Sequence, residues 1–305
     1  MGDVTKIALT SFASAPHGSS TKLVKKRQVL LLGSGISKSI SPGINNKAYR
    51  ELGLDIEYSL CEIPEDIFDS KIVELFNDDR VLGFNVTIPF KEKIVSHLDW
   101  LDPIAQAVGA VNLVVISPDR KQRLGYNTDV DGVVASLSKL GLIGRSNQRA
   151  VILGAGGAAR ACVFALLNNG FQHVRIFNRT GERAKELVSN FSKMFPGKEI
   201  EFASMTSREL SSALKEADLL INTIPISVQI PAELSFASAH KIKCLDLNYR
   251  KNPPVLRAAK RDGIPAIDGS LMLVEQAARS FEILTGISAP RKTMMLAAKR
   301  QTGHQ

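Results

Sequence analysis

The 305-residue sequence has no apolar run approaching the length of a membrane span. Stretches such as 29–32 and 161–167 are long enough only for a strand or part of a core helix. Cysteine is scarce. Cys61, Cys162 and Cys244 lie far apart, with no CxxC and no Cys/His pairing. That excludes a disulfide framework and a zinc module, and suits a reducing compartment such as the cytoplasm. The five histidines show no HExxH or other metal spacing, so no metal is expected. Helix-turn-helix, zinc-finger and aromatic-and-basic RNA-binding signatures are also missing. Acid is in deficit: 30 Asp and Glu stand against 39 Lys and Arg, a net charge of +9. The basic residues are scattered, which favours small anionic ligands over nucleic acid or a membrane surface. Residues 1–27 carry one acid, Asp3, among Ser, Thr, Ala and Lys. They read as a flexible tail; an organelle transit peptide is the alternative. The closing KRQTGHQ reads as a frayed end.

What is present is a repeated alternation of strand and helix patterns. RQVLLLGSG (27–35), IEYSLCEI (56–63) and VLGFNVTI (81–88) read as strands. Between them lie two helical stretches, SPGINNKAYRELGL (41–54) and EDIFDSKIVELFND (65–78). Ser41 is placed to cap the first, Pro42 suits its first turn and Gly53 stops it. KEKIVSHLDWL (91–101) is expected to be a helix, and 102–117 a short helix leading into a strand. After a helix over 128–141 the pattern restarts at QRAVILGAGGAARACVFALLNNG (148–170), followed by strand 173–180 and helix 181–195. Further strands are expected at 217–225, 242–249 and 264–269, and the last long helix at 270–286. The fold class is therefore α/β with two domains: an N-terminal open sheet covered by helices, then a Rossmann domain, joined near 128–142.

Two stretches point to chemistry. In VILGAGGAAR, Gly154, Gly156 and Gly157 sit where a strand turns into a helix. Glycine lets backbone approach a pyrophosphate, and a helix start offers unpaired N–H groups and positive potential. A tight structural turn is the plainer alternative. The end of the next strand carries Asn178, Arg179 and Thr180, with Arg183 a turn later and no acid for a ribose 2′-hydroxyl. Guanidinium groups suit a 2′-phosphate, so NADP is favoured over NAD; two solvated arginines are the alternative. In GFNVTIPFKEK (83–93) a strand ends in a proline and delivers one lysine, Lys91. Alone, that is a solvated lysine opening a helix.

SKSISP (37–42), NVTIPFK (85–91), GAVN (109–112), NTD (127–129), GAGGAAR (154–160), NRT (178–180), DLNY (246–249) and DGSLMLVEQA (268–277) occur in this order. Together they resemble the shikimate dehydrogenase family, including its quinate-using relatives, over roughly residues 28–290. The resemblance implies a cytoplasmic, NADP-dependent oxidoreductase that interconverts 3-dehydroshikimate and shikimate in aromatic amino acid (chorismate) biosynthesis, as monomer or homodimer. It implies Lys91 and Asp129 as the catalytic pair. It implies Ser39, Ser41 and Tyr249 on the substrate carboxylate, and Thr87, Asn112 and Gln276 on the ring hydroxyls. Gly154, Ala155, Gly156, Gly157, Ala158, Asn178, Arg179, Thr180 and Arg183 match the NADP site, with Thr223, Gly269 and Met272 near the nicotinamide. The implied substrate domain is 28–127, completed by C-terminal helices about 272–300. Residues 128–271 are the implied NADP-binding domain, and a cleft is implied between the two.

The chemistry agrees with these residue types. Hydride transfer to a ketone leaves charge on oxygen, and a positioned amine can supply the proton if its pKa is brought toward working pH. Hydroxyl side chains orient a carboxylate without neutralising it. Taken singly, Asp129 reads as a helix N-cap and Ser39 and Ser41 as turn residues. The chain departs from the family pattern at Lys38, Val130, Ser227 and Leu271, the last two standing where the family has glycine. A quinate-preferring enzyme, one acting on another hydroxylated acid, and a non-catalytic sensor on the same scaffold therefore stay open.

Overall fold

The computed structural model describes residues 26–228, 230, 234–237, 239, 241–249 and 253–303. The expected flexible tail falls outside them up to residue 25, and Arg27 already belongs to a strand. The chain divides into two compact units, residues 1–128 with 274–301, and residues 129–273 with 302–305.

In the first unit the strands are β1 (Arg27–Gly33), β2 (Ile56–Glu62), β3 (Val81–Val86), β4 (Trp100–Leu101), β5 (Leu113–Ile116) and β6 (Arg123–Tyr126). Its helices are α1 (Ser41–Glu51), α2 (Phe68–Asn77), α3 (Pro103–Val108), most of α9 (Ser270–Thr285) and nearly all of α10 (Arg291–Thr302). The sheet runs β2-β1-β3-β5-β6-β4, with β1 parallel to both β2 and β3 and with β5 antiparallel to β3 and β6. Residues Val29 to Leu32 are all buried, because alternate side chains of β1 meet core on both faces. Leu30 and Leu32 share a core with Phe68, Ile72, Leu75 and Phe76 of α2. Tyr49 of α1 stacks on Phe281 of α9, ring centroids 5.2 Å apart.

The second unit contains α4 (Asp129–Lys139), β7 (Gln148–Leu153), α5 (Gly157–Asn168), β8 (Phe171–Asn178), α6 (Gly181–Met194), β9 (Glu199–Ser204), α7 (Ser207–Glu216), β10 (Leu219–Asn222), β11 (Lys243–Asp246), α8 (Pro254–Arg261) and β12 (Ala266–Asp268). Its sheet runs β12-β11-β10-β7-β8-β9, and every pairing is parallel. This is the strand order of a Rossmann sheet. It places the reversal of winding between β7 and β10.

Four local expectations are corrected. Residues 91–101 do not form an α-helix. The Lys91 carbonyl accepts from the Val111 N–H at 2.8 Å, so it is not the acceptor for Val95, which instead reaches back to Glu92 at 3.3 Å. A 3₁₀ stretch, Lys93–His97, results, and Trp100 and Leu101 then pair with β6. Ser41 does not cap α1: Ile40 is the N-cap, and the Ser41 N–H donates to Ser39 Oγ at 3.3 Å. The chain end is not frayed through its last seven residues. Lys299 to Thr302 continue α10, whose Met294 and Ala298 are fully buried one turn apart. β3 stops at Val86, two residues short of the expected strand, because Thr87 turns: its carbonyl accepts from Phe90 at 2.9 Å. Elements unforeseen in the sequence are β4, β6, β9, α7 and α8.

Phe68 is fully buried and stacks on Phe90 with centroids 4.3 Å apart. Phe68→Ala is expected to cost the first unit about 3–5 kcal/mol through cavity formation. Trp100, the only tryptophan, lies in that unit and reports its unfolding. A denaturant midpoint unchanged in Trp100 fluorescence would contradict the packing described.

Candidate active site

In each unit two of the motif loops leave the carboxyl ends of the parallel strands on either side of the point where winding reverses. That is where the loops of an open α/β sheet part and leave a ligand crevice. In the first unit the point lies between β1 and β3, whose Leu32 and Val86 are in register. The SKSISP loop follows β1, and the NVTIPFK loop follows β3. The two loops are bonded together: the Thr87 N–H donates to the Leu32 carbonyl at 2.8 Å and the Ser34 N–H to the Ile88 carbonyl at 3.0 Å. Gly33 is required between them. A Cβ there would stand 2.5 Å from Thr87 Cγ2 and 2.6 Å from Ile36 Cγ2.

This packing explains the lysine beyond the strand. The Ile88–Pro89 peptide is cis. Phe90 turns inward, fully buried against Phe68. The Lys91 carbonyl is tied to Val111, so its backbone is held between a buried ring and the neighbouring chain, while the side chain is half-buried. Ser41 is buried and Ser39 half-buried, with Ser39 Oγ 3.2 Å from Ser41 Oγ. The Asn45 amide secures the Ser41 carbonyl at 3.0 Å. Asn112, next after Val111, is buried, and its Nδ2 donates to Gln276 Oε1 of α9 at 3.2 Å. Lys91, Thr87, Ser39, Ser41, Asn112 and Gln276 thus share one unit.

Asn85 carries a role unforeseen in the sequence. Its Oδ1 accepts from the Tyr58 hydroxyl at 3.0 Å, and its Nδ2 donates to the Asn112 carbonyl at 3.0 Å and to Ser280 Oγ at 3.1 Å. A polar residue in the middle of an otherwise buried strand was the available signal, since such a group needs partners. Burial, and behind it the neighbouring Tyr49 phenol, raises the Tyr58 pKa well above the ordinary range, so this hydroxyl stays a donor.

In the second unit the winding reverses between β7 and β10. Gly154 leaves β7 with φ +107°, and a Cβ there would lie 2.3 Å from Thr223 Oγ1. Thr223 in turn donates its hydroxyl to the Leu153 carbonyl at 2.7 Å. No atom outside the immediate chain lies within 4 Å of a Cβ built on Gly156, so the turn is open at that point. Gly157 begins α5. Open space over a glycine turn, directly before a helix start, fits a pyrophosphate. Asn178 ends β8, and its Nδ2 fixes the Thr180 carbonyl at 2.8 Å. Arg179, Thr180 and Arg183 are exposed around the start of α6. Arg160 of α5 is buried and reaches α6 through Glu186 Oε1 at 2.8 Å. The residues therefore fit a nucleotide bearing an extra phosphate.

Asp129 opens α4 and is 4% exposed. Asp246, at the end of β11, is fully buried, and burial raises its pKa. Its Oδ1 receives Asn222 Nδ2 at 3.1 Å and Asn248 Nδ2 at 2.8 Å, and Asn248 Oδ1 accepts from the Ile226 N–H at 2.9 Å. These bonds join the loop holding Thr223 to the loop holding Tyr249, which is half-buried. Gly269 packs so close to Leu247 that a Cβ would meet its carbonyl oxygen at 2.1 Å. Met272 is buried, with its carbonyl 2.5 Å from a Cβ built on Gly132. Leu271 is half-buried and Ser227 exposed. A separate cavity of about 100 Å³, lined by Arg149, His173, Arg175, Glu199, Glu201 and Glu216 among others, lies toward the amino ends of β7 and β8, the opposite ends from the glycine turn. Its charges are matched, as in the Arg149–Glu216 pair at 3.4 Å and the Arg175–Glu201 pair at 3.5 Å. Among the described residues no cluster of three or more His, Cys, Asp or Glu could hold a metal ion, and no helix is long and apolar enough to cross a membrane.

Comparison with known proteins covers the same span. Residues 31–114 match the shikimate dehydrogenase substrate binding domain, 137–243 the shikimate/quinate 5-dehydrogenase family, and 269–299 the shikimate 5′-dehydrogenase C-terminal domain. The shikimate dehydrogenase (NADP(+)) of Nitrosopumilus maritimus is 36% identical over 270 residues, covering 88% of this chain and 96% of that protein. That of Methanopyrus kandleri is 34% identical over 272 residues, covering 87% and 92%. A crystal structure of a shikimate dehydrogenase in complex with NADP+ superposes with a TM-score of 0.79 at 30% identity, over 94% of this chain and 99% of the other. The Thermus thermophilus enzyme in complex with NADP(H) and shikimate gives 0.74 at 31% identity, over 90% and 99%. By sequence and by fold, the chain belongs to the shikimate dehydrogenase family.

Proposed function

We propose that this protein is an NADP-dependent shikimate dehydrogenase, reducing 3-dehydroshikimate to shikimate and reversing the reaction. The observation that carries the reading is the pairing of two motif loops at the winding reversal of each sheet, SKSISP with NVTIPFK in the first unit and the glycine turn with the Thr223 loop in the second. The pathway that this reaction would serve is aromatic amino acid (chorismate) biosynthesis. Cys61, Cys162 and Cys244 are unbridged thiols, which supports a reducing compartment, the cytoplasm. The partner is a small molecule, and the unit of function a monomer or homodimer.

When bound, NADPH supplies the hydride. The glycine turn from Gly154 to Ala158 would hold the pyrophosphate by backbone N–H groups, with Thr223, Gly269 and Met272 bounding the nicotinamide end. Asn178, Arg179, Thr180 and Arg183 would hold the 2′-phosphate, where guanidinium forks give charge and geometry together. Ser39, Ser41 and Tyr249 would orient the substrate carboxylate through hydroxyl groups. Thr87, Asn112 and Gln276 would hold the ring hydroxyls, and a site built on such bonds rejects analogues lacking them. As hydride reaches the ketone carbon, charge grows on its oxygen, and the Lys91 ammonium donates the proton there. Asp129 would be the carboxylate of this acid–base pair, and the same amine would take the proton back in the reverse direction.

Lys91→Ala is expected to lower kcat by about 10²–10⁴-fold while NADP+ still binds, read as NADPH absorbance with shikimate and as cofactor titration. Turnover near that of the unaltered protein would remove Lys91 from the proton step. Arg179→Asp is expected to raise KM for NADP+ by at least about tenfold and leave or improve that for NAD+. An unchanged ratio of the two would reject the phosphate assignment. Shikimate and quinate compared side by side decide the substrate.

A further inference from the structure

Gly132 is the fourth residue of α4. Glycine inside a helix is disfavoured against alanine, so its presence there needs a reason. The reason is contact with α9. A Cβ on Gly132 would stand 2.5 Å from the Met272 carbonyl oxygen, 2.8 Å from its Cγ and 3.2 Å from its carbonyl carbon. Backbone therefore lies against backbone where α4 meets the first turn of α9. Asp129 precedes Gly132 by three residues, which puts the two on one face of the helix. That face is interior. Asp129 is buried, and Ser136, one turn beyond Gly132, is fully buried with its hydroxyl on the Gly132 carbonyl at 2.9 Å.

Both sides of this contact are anchored. The first turn of α9 is tied to the loop after β11: the Gly269 N–H donates to the Asn248 carbonyl at 3.3 Å, and a Cβ on Gly269 would meet the Leu247 carbonyl oxygen at 2.1 Å. The Ser270 N–H is held by Asp268 Oδ1 at 3.0 Å. The far end of α4 is tied to the sheet. The Leu140 carbonyl, one residue past the helix, accepts from Nζ of Lys243, the first residue of β11. A cation there is also favoured by the helix dipole. The Leu142 carbonyl accepts at 3.0 Å from Nε2 of Gln148, the first residue of β7. The last turn of α4 thus lies at the amino ends of two strands. Its first turn lies at the carboxyl edge, since Met272 follows the end of β12 by four residues and every strand of this sheet is parallel. The glycine turn leaves the same edge.

We propose that Gly132 and Lys243 are positioning residues that hold α4 as a strut between the two edges of the second sheet, and so set where the Asp129 carboxylate stands. The part of Asp129 in acid–base chemistry rests on the functional reading; the placement of α4 does not. A methyl group on Gly132 must open the 2.5 Å approach to at least 3.0 Å, because real Cβ atoms essentially never come closer to a neighbouring heavy atom. The first turn of α9 is held by the β11 loop, so the shift falls on α4, which pivots about its far end. Asp129 lies three residues farther from that pivot than Gly132, so it moves more, by about 0.7 Å at a rise of about 1.5 Å per residue. Acid–base groups work within about 0.5 Å of their productive geometry, and a misplacement of about 1 Å costs about 10²-fold in rate.

Gly132→Ala and Lys243→Met test the two ends of the strut. In Gly132→Ala, kcat for shikimate oxidation is expected to fall about tenfold, with KM for NADP+ changed less than about twofold, since the glycine turn and the Arg179 region stay in place. Lys243→Met frees the far end and is expected to lower kcat about threefold with KM for NADP+ equally constant. Val133→Ala is the control. Val133 is fully buried on the same helix, and its truncation opens a cavity rather than forcing a contact apart. Its melting temperature is expected to fall while kcat stays within about twofold. In crystal structures of Gly132→Ala and Lys243→Met, superposed on β7, β8 and β10, Asp129 is expected to be displaced by about 0.5 Å or more. An unchanged kcat in either of these two variants, an equal loss in Val133→Ala, a KM for NADP+ that rises as kcat falls, or an unmoved Asp129 would each overturn the proposal. Should Gly132→Ala not fold, Lys243→Met decides alone. Should the unaltered protein not oxidise shikimate, the functional reading fails, and the position of Asp129 in the variants still decides the role of the strut.

Discussion

A parallel strand at a reversal of winding sends its loop one way while its neighbour's loop goes the other, and the gap between them cannot be filled by either. Both sheets are built around that constraint. In the first unit the gap between β1 and β3 is so tight at its base that Gly33 has no room for a methyl group against Thr87 and Ile36. In the second, Gly154 with φ +107° and Thr223 meet at the same topological position between β7 and β10. Glycine at such a place serves two needs at once: it permits the backbone turn, and it lets the adjacent loop pass at van der Waals distance.

Above the gap, the side chains proposed for function stand on backbone that is already committed. Lys91 is anchored by its carbonyl bond to Val111 and by the inward Phe90, so a flexible amine starts from a fixed base. Asn112 spends its amide on Thr128 and Gln276. Arg160 is buried beside the nucleotide turn and tied to Glu186, joining the helix that follows the glycines to the helix behind Arg179 and Arg183. Such shells trade conformational entropy at folding for precision at binding.

Much of this was legible in the sequence where a residue type has one physical use. Val29–Leu32, buried on both faces, read as an interior strand, and the stretch around Gly154–Gly157 read as a strand turning into a helix, as β7 and α5 do. Legibility failed where a bond from a distant residue decided the local structure. The 91–101 stretch has helical composition, but Val111 takes the carbonyl a helix would need. Ser41 looks like a cap, yet Ser39 two residues earlier does the bonding. β9 and α7 carry many charges because one side of each is exposed, which hid their apolar positions, such as Ile200, Leu210 and Leu214. The polar chain through Asn85 and Ser280 was invisible for the same reason that the 91–101 stretch misled: its partners are 195 residues apart.

That separation bears on biosynthesis. The first unit is discontinuous, completed only by residues 274–301, whereas the second is a single stretch from 129 to 273 apart from the last few residues. During translation the strands of the first unit emerge before α9, so Asn85, Asn112 and Thr128 stay without Ser280 and Gln276 until the whole insert has been made. The insert, although later in the message, has all its strands made before α9 is complete and can close as a unit, shortening the distance its ends must search. The unit whose strands are made first is thus the unit completed later, when α9 is made.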